Sequence, residues 1–188
     1  VVTQGADLPD MRRALPVPVA RDPDVLLVWE MNGEPLPIPH GGPVRLLVPR
    51  WGGIASTKWL IGLEALDRPF TGHYQGDLYV LVTPREEKVA PVREMPVKSI
   101  ITDPRPGTTL QPGTITVTGF AWSGFAGIAR VEVSPDGGEH WTEATIIERA
   151  GPLAWVRWTW SWQALPGQAR LCCRAIDERG FSQPWSPT

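Results

Sequence analysis

The chain has 188 residues, 20% of them charged, and a formal net charge of −2 at pH 7; that length allows one large or two small domains, and that balance argues against nucleic acid as the main partner. A hydrophobic content of 42% is ordinary for a globular protein, and no run approaches the ~18 consecutive apolar residues of a helical membrane span. Helical periodicity is scarce, so the expected class is mainly β (α+β).

From the amino end, Asp22-Pro23-Asp24-Val25-Leu26-Leu27-Val28-Trp29-Glu30-Met31 reads either as a short helix or as a turn running into a buried strand. Its capping-like aspartates do not decide between the two. Residues 31 to 59 then carry more turn formers and cations than a core needs. His40, Arg45 and Lys58 recur at short range among glycines and prolines, which stiffen the backbone or let a ligand approach it closely. An arginine fork and a mobile lysine suit phosphate oxygens, and the backbone N–H groups around Gly52, Gly53 and Ser56 are candidates for an anion-binding concavity. Neither a Walker loop nor a dinucleotide fingerprint is spelled out. The plainer alternative has the same glycines and prolines marking hairpins, with the cations solvated. Within this stretch Val44-Arg45-Leu46-Leu47-Val48-Pro49 reads as a strand closed by proline.

Between Pro84 and Pro96 charges and prolines replace the apolar pattern, which we read as a linker, giving domains of residues 1–90 and 91–188. The second domain has an all-β pattern. The stretch from Thr114 to Trp122 alternates up to Gly119, where a bulge is expected. Arg130 to Ser134 alternates again, and Pro135-Asp136-Gly137-Gly138 supplies a hairpin turn before Trp141. Trp158, Trp160 and Trp162 fall at period two on one face of a strand, as sandwich core, as a subunit interface, or as a platform for a carbohydrate or aromatic ligand. Short strands with such turns suggest an immunoglobulin-like β-sandwich. Cys172 and Cys173 are neighbours in a strand and point to opposite faces, which makes them poor partners for one disulfide or one metal. His140 beside the hairpin is expected to be a solvated loop residue. His73 is more informative because Tyr74 follows it, although a lone histidine defines no metal site.

The phrase Glu30-Met31-Asn32-Gly33-Glu34-Pro35-Leu36-Pro37, then His40-Gly41-x-Pro43-Val44-Arg45, then Ser56-Thr57-Lys58-Trp59-Leu60 resembles the consecutive signatures of the sulfite oxidase family of molybdopterin enzymes, which includes the molybdenum domain of plant-type nitrate reductases. The approach through Leu15-Pro16 and Asp22 to Leu27 is similar too, as is the tail from Pro96 onward, so the resemblance covers nearly the whole chain. It favours an extended segment over Ser56 to Leu66, whose leucines could also pass as helical.

The resemblance implies the C-terminal part of a sulfite-oxidase-type molybdopterin domain followed by an immunoglobulin-like dimerisation domain. It implies a molybdenum-molybdopterin cofactor and oxygen-atom transfer to or from a small oxyanion such as sulfite. By position, His40 and Arg45 would contact the pterin or its phosphate, and Ser56, Thr57 and Lys58 would do so through backbone and side chain. Tyr74 would be the catalytic tyrosine facing the oxyanion, in a Gly72-His73-Tyr74-Gln75-Gly76 context that departs from the family's Asp-Tyr-Lys-Gly. Also implied are a homodimer through the tail domain, tail arginines as further oxyanion ligands, and a periplasmic location, since bacterial members are often exported. Members bind molybdenum through a cysteine well upstream of the asparagine-glycine phrase, and no cysteine precedes Cys172 here. The expectation is therefore a partial cofactor site, with no metal ligand in this chain, completed by the N-terminal half of the cofactor domain as a missing segment or a separate polypeptide; without that half the chain is expected to be inactive. A reading of a different class keeps the sandwich as a non-catalytic dimerisation or partner-binding module, with the cationic loops vestigial.

Overall fold

Twenty-one prolines spread along the chain leave little room for helices. The computed structural model describes residues 1–8, 10–82, 87–152 and 154–184, and among them the one α-helix is a single turn, α1 (Val17–Ala20), against fifteen short strands. Two units, Val1–Glu94 and Met95–Thr188, each make their own internal contacts.

In the first unit the strands are β1 (Val2–Gly5), β2 (Arg12–Ala14), β3 (Leu26–Val28), β4 (Glu30–Met31), β5 (Glu34–Pro35), β6 (Arg45–Leu47), β7 (Leu60–Glu64), β8 (Val80–Val82) and β9 (Lys88–Pro91). β1 is the centre of an antiparallel sheet ordered β2-β1-β7, with Thr3 opposite Arg13 on one side and Leu63 on the other. β3 pairs with β6 and β8 with β9. The β4–β5 hairpin turns at Asn32 and Gly33, both at positive φ (55° and 82°), a conformation that Asn and Gly take most cheaply. The core is small: Leu15, Leu46, Val48, Trp51 and Ala55.

Two expectations change here. Residues 26–28 form a strand, but Leu26 and Leu27 are 48% and 45% exposed; because neighbours on a strand point to opposite faces, β3 is uncovered on both, not buried. The stretch read as a linker contains β9 and a bridge between Trp51 and Glu94, while its residues 84–86 lie outside the described set.

The second unit contains β10 (Lys98–Asp103), β11 (Gly113–Trp122), β12 (Ile128–Ser134), β13 (Thr142–Arg149), β14 (Val156–Ala164) and β15 (Cys172–Asp177), in spatial order β10-β11-β14-β13-β12-β15. β13 changes partners midway: residues 142–144 pair with β12 and residues 145–149 with β14. It thereby serves both layers of an immunoglobulin-like sandwich, a corner made by one strand that switches sheets. The Pro135–Gly138 turn joins β12 to β13, as the sequence suggests. Val117, Val131, Val133, Trp158 and Ala175 are fully buried between the layers.

Gly119 is not a bulge. Val117, Gly119 and Ala121 all face inward and β11 stays in register with β14 through Ala121, so the alternation continues past the glycine. A Cβ at Gly119 would lie 2.2 Å from the Trp158 ring and 2.1 Å from the Ile100 carbonyl oxygen; the glycine makes room for the indole. The irregularity sits instead in β10, between Ile101 and Asp103. Trp158 is fully buried, and Trp160 and Trp162, half-buried, pack against the same core, which favours the core reading of the ladder over the ligand platform. Cys172 and Cys173 are free and buried, and burial pushes the Cys173 thiol up to about 11. His140 is exposed, yet its Nδ1 lies 2.7 Å from Asp136 Oδ2.

Candidate functional site: a cationic loop pair

Glycine lets two loops of the first unit meet. Gly41, at φ 101°, lies so close to Lys58 that a Cβ would be 2.8 Å from the lysine's Cβ and Cγ, and at Gly42 one would be 2.1 Å from the Leu36 carbonyl oxygen. Hydrogen bonds then stitch the loops together. Trp59 N donates to Gly41 O (3.1 Å) and its indole Nε1 to Ile38 O (2.9 Å). Lys58 Nζ donates to Pro39 O (2.8 Å). Arg45 Nη1 donates to His40 O (2.9 Å) and Nη2 to Ser56 O (3.2 Å).

His40, Arg45, Ser56 and Lys58 are thus brought together. His40 is exposed, and Arg45, Ser56 and Lys58 are half-buried. Among the described residues no ion pair involves His40, Arg45 or Lys58; Arg45 faces carbonyl oxygens, and Lys58 a carbonyl oxygen and the Trp59 ring, 5.5 Å from its Nζ. An arginine carries five N–H donors and a lysine three, which leaves donors over for an anion. A phosphate-bearing ligand suits that set.

Thr57 differs from its neighbours. Its side chain is buried, with Oγ1 2.7 Å from Thr3 Oγ1, its N–H donates to Ala55 O (3.1 Å), and its carbonyl accepts from Leu46 N (2.8 Å). It braces the loop from within instead of facing a ligand. Two of the three N–H groups of the expected concavity are used internally: Gly52 N donates to Arg93 O and Ser56 N to Gly53 O. Ser56 Oγ accepts from Val48 N (3.0 Å) and keeps its own proton to donate.

Tyr74 stands in another neighbourhood. It opens a wide turn, Tyr74–Leu78, closed by Tyr79 N donating to Tyr74 O (3.3 Å), and its ring stacks on Tyr79 and meets His73 edge-on. The turn is held by Arg13, whose Nη1 donates to Tyr74 O and whose Nη2 donates to Val92 O (3.4 Å), and by Gln75 Oε1, which accepts from Ala14 N (2.6 Å). Arg13 is buried and meets no carboxylate among the described residues; burial pushes its pKa down. The sequence reading passed over it. The signal was its phase: Arg13 and Leu15 are two apart in an extended segment, so both point inward. Several tail arginines are already occupied, Arg130 and Arg174 on Glu132 (3.1 and 2.5 Å) and Arg157 on Glu148 (3.5 Å).

The model of the oxidoreductase molybdopterin binding domain matches residues 1–74, and that of the Mo-co oxidoreductase dimerisation domain matches residues 89–188. The chain belongs to the sulfite oxidase family of molybdopterin oxidoreductases. Mitochondrial sulfite oxidase of Rattus norvegicus is 36% identical over 91% of the chain, and sulfite oxidase of Gallus gallus 36% over 96%. Nitrate reductase [NADH] of Ulva prolifera is 32% identical over 91%. The sulfane dehydrogenase SoxCD of Paracoccus pantotrophus superposes with a TM-score of 0.89 at 35% identity over 97% of this chain. The chain spans 34% and 41% of those two sulfite oxidases and 47% of the SoxCD chain.

Proposed function

We propose that this chain is the C-terminal part of a molybdenum-cofactor oxidoreductase that moves an oxygen atom to or from a small oxyanion such as sulfite. The observation that carries the reading is the loop pair of His40, Arg45, Ser56 and Lys58, cationic, half-open and, among the described residues, without a carboxylate counterion. In this proposal Arg45 and Lys58 bind the phosphate of molybdopterin, His40 and Ser56 hydrogen-bond the pterin, and Thr57 holds the loop in place. When bound, the molybdenum group supplies the redox centre for oxygen-atom transfer. Tyr74 faces the oxyanion with its phenol as hydrogen-bond donor, on a turn kept rigid by Arg13.

The proposal includes a companion segment, the N-terminal half of the cofactor domain, that brings the cysteine ligand of molybdenum. The apolar surface of the first unit supports it: besides β3, Ile61 and Leu63 on β7 and Leu81 and Val82 on β8 are 50–63% exposed, side chains that a companion segment would cover. It also includes a homodimer through the second unit and, by likeness to exported bacterial members, a periplasmic location.

The test is intact mass spectrometry with molybdenum and pterin analysis on material purified from its source. A cysteine-bearing upstream segment or companion with one molybdenum per copy is expected, and Arg45→Ala with Lys58→Ala is expected to strip the pterin while leaving the polypeptides associated. This chain alone, free of pterin and metal, would overturn the reading.

A further inference from the structure

One cavity in the first unit, of about 350 Å³, is lined by three arginines, Arg13, Arg68 and Arg93, and by no acidic residue. That volume lies within the ~300–1,000 Å³ range of small-molecule sites. Gln75 adds an amide, and Trp51 and Phe70 contribute aromatic wall. In a chain whose net charge is −2, three arginines gather around one cavity, and among the described residues the one carboxylate paired with any of them is the exposed Asp67, 3.8 Å from Arg68.

Arg13 gives the site its fixed point. It is 3% exposed, and its Nε is buried without a hydrogen-bond partner. Two backbone carbonyls and the Tyr79 ring are its other contacts. A buried guanidinium in that state is expensive unless a negative group completes it. Arg68 and Arg93 are exposed; the nearest carboxylate to Arg68 is that of Asp67, itself open to solvent, at 3.8 Å. Such loosely held arginines are free to swing toward an occupant.

We propose that this cavity binds an organic oxyanion, a carboxylate or sulfonate on an apolar body, with Arg13 as the preset cation and Arg68 and Arg93 as mobile clamps at its rim. The oxygens take the guanidinium N–H groups, and the apolar body lies against Trp51 and Phe70. The proposal does not depend on molybdenum or on the pterin.

Calorimetric titration of the chain with benzenesulfonate, benzoate and benzyl alcohol tests it. One equivalent of either anion is expected to bind, more weakly as salt is raised, with benzyl alcohol at least about tenfold weaker because it offers the arginines no charge. The Arg68→Ala/Arg93→Ala variant, altered only at exposed side chains, is expected to lose about tenfold in anion affinity. Amide and indole NMR shifts on binding are expected at Gln75 and Trp51. Equal binding of benzyl alcohol, unchanged affinity in the double variant, shifts confined to other residues, or no binding at millimolar anion would each overturn the proposal. Arg13→Met is a further check: if it folds, it abolishes anion binding, and retained binding would refute the assignment of Arg13.

Discussion

The hydroxyl pair Thr3–Thr57 allows a quantitative test of the bracing role of Thr57. Thr3 Oγ1 donates to Arg13 O (3.3 Å), which uses its only proton, so the 2.7 Å bond to Thr57 Oγ1 is donated by Thr57. The two single substitutions are therefore unequal. Thr3→Val leaves the buried Thr57 hydroxyl without an acceptor, at a cost of about 2 kcal/mol; Thr57→Val removes a bond but leaves Thr3 its donor contact, at a cost of about 1 kcal/mol. With both hydroxyls gone no polar group is stranded, so the double variant is expected to lose roughly 1–1.5 kcal/mol, well below the sum. Native-state hydrogen exchange reads this locally at Leu46 N, bonded to Thr57 O, and at Leu60 N, bonded to Val44 O. At about 1.4 kcal/mol per factor of ten, these amides are expected to exchange roughly thirtyfold faster in Thr3→Val and fivefold faster in Thr57→Val. Additive losses, or a costlier Thr57→Val, would refute both the donor assignment and the bracing role.

Gly119→Ala drives a methyl into Trp158 and the Ile100 carbonyl and is expected to cost about 2–3 kcal/mol, lowering the melting temperature of the second unit by roughly 10 °C or more; Gly151→Ala, where a Cβ meets nothing within 4 Å, is the neutral control in the same calorimetric scan. Because the Cys173 thiol is pushed up to about 11 and Cys172 is raised as well, both by burial first, alkylation at pH 8 followed by mass spectrometry is expected to label neither cysteine appreciably until the unit unfolds. The Asp136 carboxylate raises the pKa of His140, by hydrogen bond first and by charge second. An NMR titration is expected to place the His140 midpoint above 6.5, and Asp136→Asn to bring it down. By linkage, this contact contributes stability that is complete below the unfolded-state histidine pKa and is lost as pH rises through the folded one.

Much of the second unit was legible because its strands obey period two: Thr114–Val117, Arg130–Ser134 and the three tryptophans announce their faces, and Pro135-Asp136-Gly137-Gly138 announces the turn. Gly119 was misread because local sequence shows a missing side chain but not the indole that fills its place; that relation depends on pairing with a strand some forty residues away. In the first unit the signature phrases marked the loops, and the structure does bring His40, Arg45, Ser56 and Lys58 together. Which way Thr57 turns was not legible, since a threonine serves a ligand or a buried neighbour equally well and Thr3, its partner, is remote in sequence. The exposure of β3 escaped for the opposite reason: Leu26 and Leu27 look like core because apolar residues usually are.

The shared strand β13 bears on how the second unit can come apart. In a sandwich whose layers have separate strands, one sheet can in principle loosen while the other survives. Here the peptide bond between Ala144 and Thr145 joins a segment paired to β12 directly to one paired to β14. Freeing either layer strips half of β13 and drags the other half out of register, so partially opened forms lose pairing on both sides at once. The unit is built to resist piecemeal attack, whether by a protease probing transient openings or by mechanical load, and to fail only as a whole.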